Sequence, residues 1–480
     1  QYKTTIKLQK SISCMNKLSM LILMIFSAGC FTPKLYTING RLNEKRSISK
    51  IIDKSNLNTN IGIKAISLKT GKILFDLNSG SLFNPASNNK LYTAIAALAI
   101  LDTGYTFKTS VFLEGNTVYL VGGGDPDLKI STLDSLASII SKKIPSANEL
   151  ILDDTITDSL VYGPGWMWDE GDEWYSAEIS ALSVNDNCID FIISPSSTGS
   201  LINVEIYPKS NFYNVKNEGT TVSDTSEYEK LKISRDWQNN KNSFHIYGTI
   251  LDTTSIDTLT RNISNPTLFT GNLFKELLLE NGLRINKSNK GSNPSTSKLI
   301  ATHHSKPLIV SLENLMVESD NLTAELLVKI IGHETTKKQG SWQNGLIAMR
   351  TFFNDDVGID TTTFSISDGS GVSRYNYSSA SHLTDLLLWA YGEPDIKDSL
   401  LKILSTTNEG ATLKDRNLPK GVYAKTGSLS GVTTFSGYIL NDPSDPIAFS
   451  ILMNGFKGSS SAFRALQDEI VTYLSKVNQL

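Results

Sequence analysis

The sequence predicts a mixed α/β (α+β) protein in which a helix-bearing domain is split by a β-rich insertion. Three observations carry this. A strand-like hairpin at 61–77 leads into an apolar helical run at 91–98. Residues 101–300 then break into short β-like runs separated by Gly, Asn, Asp and Ser. Helical periodicity returns at 307–333 and 379–404 and is followed by three more β runs.

Each element follows from local pattern. Ile61 to Leu68 and Ile73 to Leu77 flank the turn Lys69-Thr70-Gly71-Lys72. Leu91 to Leu98 is apolar nearly all round, as in a helix enclosed by its own domain. Val118 to Val121 and Val204 to Tyr207 typify the middle region. Val422 to Ala424, Val432 to Leu440 and Ile447 to Met453 are β runs, and Phe463 to Leu474 predicts a last helix. The expected organisation is residues 56–100 and 301–480 as one domain, with 101–300 inserted into it. At 480 residues the chain exceeds the length at which one core stops growing.

The N-terminal region reads differently. Residues 1–29 hold four lysines and no acid, so a formal net charge of −3 leaves −7 for the remainder. A basic stretch, the apolar run Leu18 to Phe26 and Ser27-Ala28-Gly29-Cys30 together predict an export signal. The run is shorter than the roughly 20 residues that span a bilayer. Small residues before Cys30 resemble the lipobox of bacterial lipoproteins, which makes Cys30 the expected lipidation site. Ser27 departs from the leucine usual there. Met15 is a candidate start. Residues 30–55 are polar and read as a tether, so the expected location is the periplasmic side of a bacterial envelope, held to a membrane by lipid alone.

Net charge supplies no basic footprint for nucleic acid. The histidines His245, His303, His304, His333 and His382 lack metal-ligand spacing, and no metal or cofactor is called for. Cys188, in an apolar run, reads as a small buried hydrophobe.

Chemistry concentrates in three short motifs in order: Ser87-Asn88-Asn89-Lys90, Ser319-Asp320-Asn321 and Lys425-Thr426-Gly427. Alone, each is weak. Ser-x-x-Lys also occurs at Ser47/Lys50, Ser295/Lys298 and Ser399/Lys402, and Lys-Thr-Gly at Lys69-Thr70-Gly71. Only Ser87 opens an enclosed helix, where residues three apart share a face, and only Lys425 lies on a β run. A serine hydroxyl needs a base to become a nucleophile. Lys90, desolvated and beside a second cation, is the expected base, its pKa drawn towards about 7–8. Ser319 and Lys425 then return a proton to the leaving amine, and Asn321 holds a substrate amide. The strand after Lys425 offers an edge for an extended peptide, and Gly427 permits close approach. Backbone N–H groups of Ser87 and Ser428 are candidates for an oxyanion hole.

The surroundings of these motifs, Pro85 to Leu91 and Ala424 to Leu429, resemble the D-alanyl-D-alanine carboxypeptidase/endopeptidase family, the class C low-molecular-mass penicillin-binding proteins. Asp368-Gly369-Ser370-Gly371-Val372-Ser373-Arg374-Tyr375-Asn376 is a long and specific match. Gly122 to Pro126, Gly163 to Asp169 and Ala181 to Asn187 extend the likeness over roughly 55–475. The resemblance implies a transpeptidase/β-lactamase-like serine domain with a five-stranded antiparallel sheet, flanking helices and two smaller inserted domains. It implies action on peptidoglycan stem peptides and cross-bridges, with β-lactams as covalent inhibitors. It also implies a pocket for a diaminopimelate side chain: Asp169 for the amino group, Arg374 for the carboxylate, Trp166 as an apolar wall and Ser430 nearby, with Thr426 and Gly427 on the substrate strand. A β-lactamase-like hydrolase and a non-catalytic wall-binding lipoprotein are the alternatives.

Overall fold

The structure, a computed structural model, describes residues 38–40, 42–407 and 412–477. The expected export signal and Cys30 lie outside the described residues.

Strands from distant parts of the chain share one antiparallel sheet. Its order is Ile38–Gly40, Ile73–Leu77, Asn60–Ser67, Ile447–Asn454, Val432–Ile439, Val422–Leu429 and Ser405–Thr406. Five strands are long, as the resemblance implied, and a short one is added at each edge. Asn60–Ser67 pairs along its whole length with Ile447–Asn454, Asn60 opposite Asn454 and Ser67 opposite Ile447.

Side chains alternate between the two faces with period two. Ile447, Phe449, Ile451 and Met453 point into one core, closed by the helices Leu42–Ser55 and Ser461–Val477. Ala448 and Leu452 point into the other, formed with Lys90–Leu101, Asn321–Thr336 and Ala380–Gly392. Because both faces are covered, the central strands are buried almost throughout.

The irregular tether expected up to residue 55 gives way to a helix from residue 42. Ile48, Ile51 and Ile52 recur at i, i+3 and i+4 and pack into the core beside Leu466 and Ile470.

Residues 108–304 hold a separate core around Val118, Leu150, Phe191 and Phe269. A five-stranded sheet there runs Lys287–Lys290, Glu149–Asp153, Thr117–Val121, Lys108–Glu114, Lys298–His304, beside three smaller sheets. The β-rich expectation missed two long helices, Ile130–Lys143 and Pro266–Glu280. Leu133, Leu136, Ala137 and Ile140 form the buried stripe of the first, a 3.6 period that the surrounding β-like runs obscured.

This inserted region docks on the helices of the main sheet. Lys329 Nζ reaches Asp158 Oδ1 at 2.6 Å and the Leu160 carbonyl at 2.5 Å, and Ser311 Oγ donates to Asp127 at 2.5 Å.

Candidate active site

Ser87 lies in a 3₁₀ turn, Ala86–Asn89, that feeds directly into the helix beginning at Lys90. Three residues per turn eclipse positions 87 and 90. Lys90 Nζ is 3.3 Å from Ser87 Oγ. Ala86 holds a left-handed φ of 46°, a strained conformation without glycine that reverses the chain just before the hydroxyl. The turn is pinned by its asparagines: Asn84 Oδ1 accepts from Ala86 N at 2.9 Å, Asn88 Nδ2 donates to Ser436 Oγ at 2.6 Å, and Asn89 Nδ2 to the Asp368 carbonyl at 2.8 Å.

Lys90 is fully buried while Ser87 stays partly open to solvent. Its Nζ also donates to Asn321 Oδ1 at 2.6 Å and to the Ser370 carbonyl at 2.9 Å. Burial pulls its pKa down to about 8, against the carboxylates of Asp320, Asp368 and Glu325, which pull it up. The expected direction holds. Its cause is desolvation, not the second cation.

Lys425 is the second buried amine. Its Nζ donates to the Thr426 carbonyl at 3.2 Å, and burial followed by repulsion from Lys90 holds it well below the ordinary lysine range. Gly427 brings this strand against Ser87. A Cβ there would lie 2.9 Å from Ser87 N and 2.9 Å from the Pro85 carbonyl, so only glycine fits the approach. The edge strand Ser405–Thr406 pairs only with Tyr423 and Ala424. From Lys425 to the exposed Ser428 the outer edge has no strand against it among the described residues.

Asn321 opens the helix Asn321–Thr336, capped by Asp320, whose Oδ2 accepts from Thr323 N at 2.5 Å. Besides receiving Lys90, Asn321 donates from Nδ2 to the Tyr175 carbonyl at 2.7 Å. Both ends of the amide are therefore engaged, where the sequence suggested one free for substrate. Ser319 sits half-buried at a left-handed φ of 63°. Among the described residues its hydroxyl hydrogen-bonds to neither lysine.

The residues expected around a side-chain pocket are placed as follows. Arg374 Nη1 donates to the Ser430 carbonyl at 3.4 Å, and Arg374 N to the Gly165 carbonyl at 3.2 Å. Trp166 Nε1 donates to Asp368 Oδ2 at 3.0 Å. Asp169 is exposed on the short turn Trp168–Glu170, with no ion pair to Arg374. A cavity of about 460 Å³ adjoins Asn321 and is lined by Trp166, Tyr175, Asp186, Arg261 and Glu318. A larger one, about 1130 Å³, lies by Ile100, Phe352 and Trp389 and holds no expected site residue. Cys188 is a buried free thiol, as read from its run.

Residues 44–477 match the model of the D-Ala-D-Ala carboxypeptidase 3 (S13) family. The chain belongs to this family. It is 31% identical to a D-alanyl-D-alanine carboxypeptidase of an Actinomadura species, covering 93% of this chain and 87% of that one. It is 26% identical to the D-alanyl-D-alanine carboxypeptidase DacB of Haemophilus influenzae, over 85% and 88%. Its fold is similar to the crystal structure of Haemophilus influenzae penicillin binding protein 4, with a TM-score of 0.78 at 23% identity, covering 89% and 99%. A second structure of that protein, complexed with a novel β-lactam, gives a TM-score of 0.72.

In this S13 chain, sequence reasoning missed Tyr175 and Glu325. The Tyr175 contact is made by a backbone carbonyl and leaves no mark in side-chain type. Glu325 does leave one, because it stands four residues after Asn321 and so on the same helix face.

Proposed function

We propose that the chain is an exported serine D-alanyl-D-alanine carboxypeptidase/endopeptidase that cleaves peptidoglycan stem peptides and cross-bridges through an acyl-enzyme at Ser87. The observation that carries this is the 3.3 Å approach of the buried Lys90 Nζ to Ser87 Oγ.

Neutral Lys90 takes the Ser87 proton as Oγ attacks the carbonyl of the penultimate D-alanine. The N–H groups of Ser87 and Ser428 receive the oxyanion. Collapse breaks the peptide bond, and the proton taken up by Lys90 passes by way of Ser319, with Lys425 alongside, to the leaving amine, which leaves Lys90 neutral again to deprotonate water. Water, deprotonated in turn, hydrolyses the ester and restores Ser87. Thr426 and Gly427 align the substrate as an added strand on the open edge. Asp169, Trp166, Arg374 and Ser430 receive the zwitterionic end of the stem-peptide side chain, Arg374 by forked hydrogen bonds to its carboxylate. β-Lactams acylate the same hydroxyl. Export by residues 1–29 and lipidation at Cys30 place the enzyme at the outer side of a bacterial membrane; the basic-apolar-small pattern supports both. Among the described residues no helix is long and apolar enough to cross a membrane.

The test pairs D-alanine release from a stem pentapeptide with labelling by a fluorescent penicillin. Nitrocefin turnover without D-alanine release makes the chain a β-lactamase, and muropeptide binding without an adduct makes it a wall-binding protein.

A further inference from the structure

Glu325 is completely buried, yet no step of the proposed reaction uses it. Its carboxylate faces three N–H donors. Gly369 N reaches Oε2 at 3.0 Å, Ser370 N reaches Oε1 at 2.8 Å and Trp342 Nε1 reaches Oε2 at 2.6 Å. The next peptide is clamped by a second buried acid: Gly371 N donates to Asp368 Oδ1 at 2.9 Å and Ser373 N to Oδ2 at 2.6 Å. In a trans peptide the N–H and the C=O point opposite ways. With the Gly371 N–H turned to Asp368, the Ser370 carbonyl is turned the other way, where it accepts from Lys90 Nζ at 2.9 Å. Two carboxylates thus hold a loop whose Ser370 carbonyl holds the lysine.

The loop is also fixed to the nucleophile's helix. Thr93 Oγ1 donates to the Gly369 carbonyl at 2.7 Å, and a Cβ at Gly371 would lie 1.9 Å from the Ala86 carbonyl. Behind Glu325, the ring of Trp342 carries Lys329 Nζ at 3.8 Å from its centroid, and Lys329 is the residue gripped by Asp158 of the inserted region. Trp166, also from that region, bonds Asp368.

We propose that Glu325 is a positioning residue for acylation, fixing the Gly369–Ser370 backbone so that the Ser370 carbonyl keeps Lys90 Nζ against Ser87 Oγ. The inference rests on reading Lys90 as the base. Glu325 touches neither substrate nor Ser87; it acts through the loop. The charged groups facing it are Asp368 from the loop, Lys90 from the Lys90–Leu101 helix and Lys329 from its own helix, with Asp158 beyond. Burial and the neighbouring Asp368 push the Glu325 carboxyl up to about 7, against the three N–H donors, which favour its ionised form; above that pH its charge raises the affinity of Lys90 for a proton.

Glutamine at this position keeps the volume, removes the charge and turns an NH₂ towards an N–H. The experiment measures acylation by a fluorescent penicillin from about pH 6 to about pH 10, with melting temperature. It compares wild type, Glu325→Gln, Trp342→Phe and Lys90→Gln. Displacing the base by about 1 Å costs up to roughly 10²-fold. Glu325→Gln is expected to lower the plateau rate by about 10- to 100-fold and to move the acidic limb to lower pH. Trp342→Phe, which removes one of three donors, is expected to lower the plateau less and leave the limb in place. A purely structural role lowers the melting temperature and leaves the limb unmoved. A wild-type plateau and limb in Glu325→Gln overturn the proposal; if that variant does not fold, a wild-type rate in Trp342→Phe does so. A wild-type rate in Lys90→Gln instead overturns the base assignment itself.

Discussion

Lys90 Nζ stands 3.3 Å from Ser87 Oγ, but only 2.6 Å from Asn321 Oδ1 and 2.9 Å from the Ser370 carbonyl. The charged ammonium has three N–H bonds and spends one on each partner. On losing a proton it keeps two, which the shorter contacts retain, and the lone pair is left facing Ser87. Geometry therefore selects which partner becomes the proton donor. Ser87→Ala is expected to abolish both fluorescent-penicillin labelling and D-alanine release. Lys90→Gln retains a donor to Asn321 but offers no basic nitrogen, and should acylate about 10²- to 10⁴-fold more slowly. Labelling that persists in Ser87→Ala would remove Ser87 from the mechanism.

With Lys90 proposed as the base and its pKa drawn down to about 8, the pH dependence of the reaction follows. Below that pH the folded protein holds Lys90 as an ammonium with no lone pair. The acylation rate is expected to rise about tenfold per pH unit towards about 8 and then level. The same shift acts on stability with a definite sign. Unfolded, Lys90 titrates near the ordinary lysine value of 10.5, so between about 8 and 10.5 the unfolded state binds more protons and this group makes the fold more stable as pH rises. Lys425, also lowered, adds in the same direction. Lys90→Met, which removes the buried amine, should melt higher than wild type at pH 7 and lose that gain towards pH 10. Rate and melting profiles over this range check both statements.

Much of this site was legible because its chemistry is carried by side chains at short spacing. Ser87 and Lys90 are three residues apart on one turn, and Lys425 sits on a β run that the hydrophobic pattern marks. The fold was legible where one period dominates, as in the closing strands and the helix Asn321–Thr336. It was misread where periods mix: Ile48, Ile51 and Ile52 lie among so many polar residues that the segment reads as a tether, although three isoleucines on one face suffice to seat a helix. What stayed hidden in the site is backbone work. The carbonyls of Tyr175 and Ser370 hold Asn321 and Lys90, and any residue type supplies a carbonyl. The left-handed φ at Ala86 and at Ser319 is likewise invisible in residue type, since neither is glycine.

Gly427→Ala is a test of the contact between strand and nucleophile. The added methyl would stand 2.2 Å from Thr434 Oγ1, and Thr434 Oγ1 itself donates to the Pro85 carbonyl at 2.8 Å. Strand and turn must move apart, and overpacking of this kind costs about 1–3 kcal/mol. The expected outcome is a melting temperature several degrees lower, together with a loss of penicillin acylation approaching about 10²-fold. Thr434→Ala in the same chain opens room for the methyl, so the double variant should recover part of the melting temperature. Wild-type acylation in Gly427→Ala would show that the strand need not press on Ser87.

Arg374, proposed to receive the side-chain carboxylate, offers a way to separate recognition from chemistry. Its guanidinium lies on the Ser430 carbonyl at 3.4 Å, half-exposed, and among the described residues makes no hydrogen bond to Lys90, Asn321 or Lys425. A β-lactam that lacks a free amino-acid end asks nothing of it, whereas a stem peptide with a zwitterionic side chain presents a carboxylate that fits its fork. Charge-assisted hydrogen bonds of this kind contribute about 1.5–3 kcal/mol. Arg374→Ala should therefore lower kcat/KM for a stem peptide with a free diaminopimelate end by about 10- to 100-fold, chiefly through KM. Penicillin acylation should change by less than about threefold. Blocking the free end of the peptide by amidation and acetylation should cost the wild type a similar factor and the variant almost nothing, because the partner is already gone. Equal losses on penicillin and on the peptide would place Arg374 in the architecture of the cleft and remove it from the side-chain pocket.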